Sequence, residues 1–167
     1  MADEKRPEQP TRDRASFASG RLGSAPRSSI AALTLAEAHS LVTDEERERS
    51  FLLTDATAED NPIVFANEAF LRLTGYWRHE VLGRNCRFLQ GKDTDPAAVA
   101  ALHEAIERAE PITVDVVNYK KDGTPFWNRL RIRPITDGLG NVVNFVGIQN
   151  EVAAEDVHSV PRRGIQP

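Results

Sequence analysis

One cysteine, Cys86, stands in 167 residues. A single thiol excludes an intrachain disulfide framework and leaves no second cysteine for a zinc site, so no metal is expected. No apolar run approaches the length that spans a bilayer. The N-terminus, Met1-Ala2-Asp3-Glu4-Lys5-Arg6, is charged and lacks the apolar stretch of a signal peptide. These absences point to a reducing cytoplasm, in which Cys86 stays a thiol and no membrane is a partner. Excess charge is also lacking: the net charge of −4 gives no global reason to expect nucleic acid. No acid/base dyad and no nicotinamide motif stands out, so the chain does not read as an enzyme.

What is present is an ordinary globular composition, 40% hydrophobic and 28% charged, suited to one domain with tails. Residues 1–28 are rich in Pro, Ser, Gly and Arg and have few large apolar groups, which predicts a disordered tail. Residues 29–49 read as an N-terminal helical cap beginning near Ser29. Thr34-Leu35-Ala36-Glu37 has capping-box spacing, and Leu35, Ala38, Leu41 and Val42 then fall on one face. Thr43-Asp44-Glu45-Glu46 repeats the signal. So short an amphipathic segment needs something to pack against.

Residues 50–151 carry the predicted core, and 152–167 a short C-terminal extension. Phe51 to Thr54 and Pro62 to Ala66 read as strands. Asn67 caps a short helix that Gly75 stops, and Asp95-Pro96 starts a longer one on which Val99, Leu102, His103 and Ile106 share a face. Three strands follow: Ile112 to Tyr119, Phe126 to Ile135 and Val142 to Gln149. Asp122-Gly123 and Asp137-Gly138-Leu139-Gly140 turn between them as hairpins. The order predicts an α+β fold with an antiparallel five-stranded sheet.

Period-two alternation gives each late strand one apolar face, and each such face carries one amide: Asn118, Asn128 and Gln149. A buried amide without a partner costs a few kcal/mol, roughly 1–3 by mutational data. Either each amide satisfies backbone at a strand end, or the three converge on a planar polar ligand edge. Far upstream lies Gly83-Arg84-Asn85-Cys86-Arg87-Phe88-Leu89-Gln90. Here the thiol is flanked by polar or charged side chains and followed by Phe-Leu, a layout suited to a lined pocket.

This constellation resembles the LOV domain, the flavin-binding blue-light sensor branch of the PAS superfamily. The resemblance runs from about Phe51 to Gln149. It rests on Asp60-Asn61-Pro62-Ile63-Val64-Phe65-Ala66, on Gly83 through Gly91, and on Asn118-Tyr119, Phe126-Trp127-Asn128 and Val146-Gly147-Ile148-Gln149. It implies a sheet with helices on one side, cradling FMN non-covalently in the dark. It also implies a photochemistry in which the Cys86 sulfur bonds reversibly to the flavin C4a carbon while N5 gains a proton. Asn118 and Asn128 would bind the pyrimidine edge, and Gln149 would sit beside N5. Asn85 and Gln90 would contact the ring or ribityl chain, and Arg87 the phosphate. Leu52, Thr54, Asn61, Leu130, Ile132, Phe145 and Gly147 match the pocket lining. The family often places a second phosphate-binding Arg where this chain has His103, which either partners phosphate or packs on the apolar helix face. No long insertion separates Gln90 from Asp95, so FMN is expected over FAD. Trp77 and Trp127 read as packing residues.

The resemblance leaves two other readings open: a flavin-based redox sensor, and a PAS interaction module without photochemistry. After Gln149 the sequence offers room for a short helix and no effector, so the expected output is a change of conformation, oligomer or downstream partner. Val142, Val146, Ile148 and Trp127 would leave an apolar patch on the outer sheet face. Segment 29–49 is its expected cover, within one chain or across a homodimer formed through that face and the N-terminal helices.

Overall fold

Two threonines start the first helices described by the computed structural model, which covers residues 33–158 and 162–163. Thr34 accepts from the Glu37 backbone N–H at 3.3 Å while the Glu37 carboxylate accepts from the Thr34 N–H at 2.8 Å, a closed capping box that starts α1 (Leu35–Ser40). Thr43 and Glu46 repeat it at 3.2 and 2.9 Å for α2 (Asp44–Arg47). The expected start near Ser29 and the tail 1–28 lie outside the described residues. The single apolar face expected here is corrected: Ala38 and Val42 are buried, but Leu35 is 60% exposed. Leu41 already caps the helix, so the stripe is not one continuous helical surface.

The core strands are β1 (Ser50–Asp55), β2 (Ile63–Ala66), β3 (Ile112–Tyr119), β4 (Pro125–Thr136) and β5 (Val142–Val152). They form the expected antiparallel sheet in the order β2-β1-β5-β4-β3, and a two-residue β6 (Arg162–Arg163) adds to the β3 edge. Leu52 lies opposite Gly147 and Leu130 opposite Gln149, which puts the inner-facing residues of three strands side by side.

Helices pack on that inner face. Asn67 caps α3 (Glu68–Thr74) by accepting from Phe70 N–H at 2.9 Å, and Gly75 ends it in the left-handed region at φ 77°. The four-residue α4 (Arg78–Val81), too short to show a period, follows Trp77. Trp77 is 68% exposed, so it is not the packing residue expected. Asp95 and Pro96 start α5 (Pro96–Glu107). This helix buries Ala98, Leu102 and Ala105 against Ile112, Val114 and Val116; of the expected stripe Leu102 is buried, Val99 and Ile106 are half-buried and His103 is exposed. Two of the three buried positions are alanines, which bulk alone would not have picked out.

On the outer face, Phe51, Leu53, Val146 and Ile148 form one cluster with Ala38 and Val42, so the chain's own cap covers the sheet. Phe51 and Phe65 stack at 5.5 Å between centroids. Arg133 grips Glu46 through two bonds of 2.9 and 2.6 Å and also donates to the Leu41 carbonyl at 3.2 Å, fastening the cap to β4. On β3, Asp115 accepts two bonds from Arg129, each 2.8 Å, and one from His158 N–H at 2.7 Å. Arg129 also donates to the Asp156 carbonyl at 2.6 Å, which ties the turn after β5 to the sheet.

Candidate functional site

The cysteine stretch is held as an extension of β2. Ile63 N–H donates to the Arg84 carbonyl and Gly83 N–H to the Ile63 carbonyl, both at 2.8 Å. Asn85 accepts from Arg87 N–H at 3.0 Å and starts a 3-10 turn, Cys86–Leu89. Its other end is fixed by rings: Phe88 lies edge-on to Tyr76 at 4.9 Å, with the Arg84 guanidinium over its face at 4.3 Å. Gly91 follows because the Tyr119 ring occupies the place a β-carbon would need.

Between this stretch, α5 and the sheet lies a cavity of about 570 Å³. That volume falls within the range of ligand pockets, roughly 300–1,000 Å³. Every site residue expected from the sequence lines it. The sheet supplies Leu52, Thr54, Asn118, Asn128, Leu130, Ile132, Phe145, Gly147 and Gln149; the helical side supplies Asn61, Asn85, Cys86, Arg87, Gln90 and His103. His103 is exposed at the cavity, not buried on the apolar helix face. Asp60, Leu89, Leu102, Ile106, Glu107 and Val116 also line the cavity and were not anticipated. Val116 shares the strand face of Asn118, and Ile106 and Glu107 lie one helical turn from His103, so period alone could have found them. Asp60 had no such signal.

The amides are partly satisfied by one another. Asn128 donates to Asn118 at 2.9 Å and accepts from Asn150 N–H at 3.2 Å, while Asn118 donates to the Val117 carbonyl at 3.2 Å. Gln149 accepts from the Ser50 hydroxyl at 3.4 Å. The bonds to backbone and neighbouring side chains thus satisfy the amides in part, and each NH₂ keeps hydrogens beyond them. Thr54 Oγ1 and Asn61 Oδ1 are buried with no partner among the described residues, and both line the cavity. Orphaned buried acceptors are rare in native folds and ask for a partner. A β-carbon on Gly147 would crowd Gln149 Nε2 at 3.3 Å and Leu52 at 3.4 Å, so glycine keeps this floor flat. These features fit a planar ring with a polar edge.

Cys86 is half-buried and lines the same space. Burial pushes its thiol up to about 12, with its own backbone and Arg87 opposing weakly. It is therefore a neutral thiol at physiological pH, not a standing nucleophile. Arg87 forms a bidentate pair with Asp60 at 2.6 Å, and this pair holds the Asp60 carboxyl below its ordinary value.

The comparisons agree with this geometry. Residues 48–154 match the PAS domain family. A "Blue-light-activated histidine kinase" of Brucella ovis is 55% identical over 104 residues, which cover 62% of this chain and 21% of that protein. Its Brucella anthropi counterpart is 50% identical over the same length. The chain thus spans about a fifth of the length of these curated relatives. Among solved structures, the dark structure of the blue-light photoreceptor Aureochrome1 LOV aligns with a TM-score of 0.65 and 46% identity, covering 66% of this chain and 80% of that one. The LOV domain of an Erythrobacter litoralis blue-light activated histidine kinase gives 0.60 and 44%, covering 62% and 94%. Among the described residues no helix is long and apolar enough to cross a membrane. Sequence match, fold and cavity together place the chain in the PAS family, with a LOV domain as its core.

Proposed function

We propose that this chain is a blue-light photoreceptor that holds FMN in the cavity and uses Cys86 as a reversible trigger. The observation that carries the reading is the placement of a neutral, half-buried thiol in a cavity with orphaned polar atoms and three amides on the facing wall. FMN would supply absorption of blue light and, once excited, a C4a carbon that bonds to the Cys86 sulfur and releases it in darkness. The chain's own residues do the rest. Cys86 brings sulfur and proton together, since burial keeps the thiol protonated. Asn118, Asn128 and Gln149 orient the ring edge through their free amide hydrogens, and Leu52, Leu130, Ile132 and Phe145 exclude water. Asn85, Arg87, Gln90 and His103 face the polar end of the ligand.

Gln149 is also where a signal would leave. Its amide can donate or accept by turning over, and the preceding residue, Ile148, packs in the outer cluster against the cap. A change of about 1 kcal/mol at one hydrogen bond biases a balanced equilibrium several-fold. The output is a change in how the cap sits on the sheet or in association with a second copy. The homodimer no longer follows from a bare patch, because the chain's own helices cover Val146 and Ile148. Comparing mass in darkness and light tests it.

Absorption before and after illumination tests the main reading. Purified protein should be yellow, bleach under blue light and recover in darkness. Cys86→Ala should keep the flavin and lose the bleaching. Turnover in darkness that survives Cys86→Ala would favour a redox sensor. Colourless protein after reconstitution would favour an interaction module.

A further inference from the structure

Tyr119 follows Asn118 on β3, yet it does not line the cavity. Its side chain is engaged instead by the segment that joins the two helical walls. Cys86, Leu89 and Gln90 line the cavity before residues 91–95, and Leu102, His103 and Ile106 after them. No residue from Gln90 to Ala97 is buried, so this joint is held by hydrogen bonds and not by apolar packing. The Tyr119 hydroxyl accepts from Asp93 N–H at 3.0 Å and donates to the Asp93 carboxylate at 2.7 Å. The Thr94 hydroxyl accepts from Gly91 N–H at 2.9 Å and donates to the Val117 carbonyl of β3 at 2.7 Å. Neither Asp93 nor Thr94 lines the cavity.

The two walls are fastened unequally. On the Cys86 side, Leu89 is buried in one cluster with Leu52, Ile63 and Phe70, and backbone bonds tie Gly83 and Arg84 to β2. On the other side, α5 rests on β3 through Ala98, Leu102 and Ala105, and alanine side chains bury little apolar area. A segment with few buried apolar contacts and exposed hydrogen bonds opens at lower cost than the fold as a whole. The Cys86 wall is thus the fixed jaw and α5 the movable one, with its fastening at the leading end. Arg87 and Gln90 on one wall, and His103 and Glu107 on the other, are exposed, which places the mouth of the cavity between the jaws.

Resting on the flavin reading, we propose that Tyr119 is a positioning residue that controls ligand exchange. Its hydroxyl, with that of Thr94, latches residues 91–95 to β3 and so holds α5 closed over the ring. It touches no ligand and acts only through the wall it fastens.

The test uses the full chain, freed of flavin and given FMN. Association after mixing and release after dilution are followed by the anisotropy of flavin fluorescence under weak excitation. Tyr119→Phe keeps the ring against Gly91 and removes both hydroxyl bonds. Association and release should both rise by about tenfold, with the dissociation constant within about twofold of wild type, because a latch lowers the barrier to entry and exit alike. Thr94→Val, on the other side of the joint, should raise both rates by about fivefold, and it decides alone if Tyr119→Phe fails to fold. Exchange at the wild-type rate, whatever the change in unfolding midpoint, would make the latch merely structural and overturns the proposal. Release that accelerates alone, with an equal weakening of affinity, overturns it too, and both results leave the flavin reading intact. Failure of wild type to bind FMN overturns both.

Discussion

The two faces of the sheet solve opposite problems with the same alternating strands. On β5, Phe145, Gly147 and Gln149 point inward, and Val146 and Ile148 outward. The outward pair is sealed, with 0% and 1% exposure, under the chain's own cap. Its charges are sealed too: the side chains of Glu46 and Asp115 are 8% and 2% exposed, and each is bridged by an arginine. The inner face stops short of closure. It keeps a cavity, two orphaned acceptors and amides with hydrogens to spare. The outer face is thus closed, whereas the inner face combines two buried apolar clusters with a cavity that has capacity for a ligand. Under the proposed function, a signal would pass between them through residues one step apart on a single strand.

If that difference holds, opening the closed outer cluster causes a large loss of stability. Phe51 is fully buried, stacked on Phe65 and packed with Val146 and Ile148. Phe51→Ala should cost about 4 kcal/mol, the usual range for a buried aromatic replaced by alanine. Chemical unfolding of flavin-free protein measures it. A loss below about 1 kcal/mol would mean that the cap does not close this cluster in solution.

A smaller effect is expected at the clamp between cap and sheet. Burial raises the Glu46 carboxyl, but bonds from Arg133 and Thr43 outweigh it, and the net position is below the ordinary value. A group depressed in the folded state binds its proton more readily when unfolded, so stability rises with pH across that interval. The contribution is complete above the ordinary glutamate value and is lost as pH falls through the lowered one. Glu46→Gln leaves the Arg133 charge half-covered and should cost about 2 kcal/mol at neutral pH. It should also flatten the acid limb of a stability–pH curve. An acid limb identical to wild type would place the titrating group elsewhere, with Asp115 the other outer-face carboxyl held low, burial opposing and Arg129 prevailing.

Much of this comparison was legible in the chain before any coordinates. Strand period gave both faces of β3, β4 and β5, and the capping threonines gave the helices of the cap, because both signals are local. Residues whose role depends on a distant partner were not legible. Asp60 meets Arg87 across 27 positions and Arg133 meets Glu46 across 87, and no spacing encodes either encounter. The packed side of α5 was half legible for a related reason: Leu102 was expected and is buried, whereas Ala98 and Ala105 were not expected. Which alanines turn toward β3 is a tertiary fact that the bulk of Val99 does not report.

The smallest expected effect sharpens the contrast most. Thr54 lies on the inner face with 4% exposure, and its hydroxyl has no partner among the described residues. A buried hydroxyl that bonds to nothing has lost its water without compensation, so its removal gives back that cost. Thr54→Val keeps the branched shape that suits a strand. Flavin-free protein should be unchanged or gain up to about 1 kcal/mol, whereas flavin affinity should fall if the hydroxyl is reserved for ligand. Paired measurements of unfolding midpoint and flavin titration separate the two. A destabilised flavin-free protein would mean that the hydroxyl already has a partner, and that the inner face is as closed as the outer one. Unchanged affinity with unchanged stability would assign the orphaned atom to neither task and restrict the ligand's polar contacts to the amides and the rim.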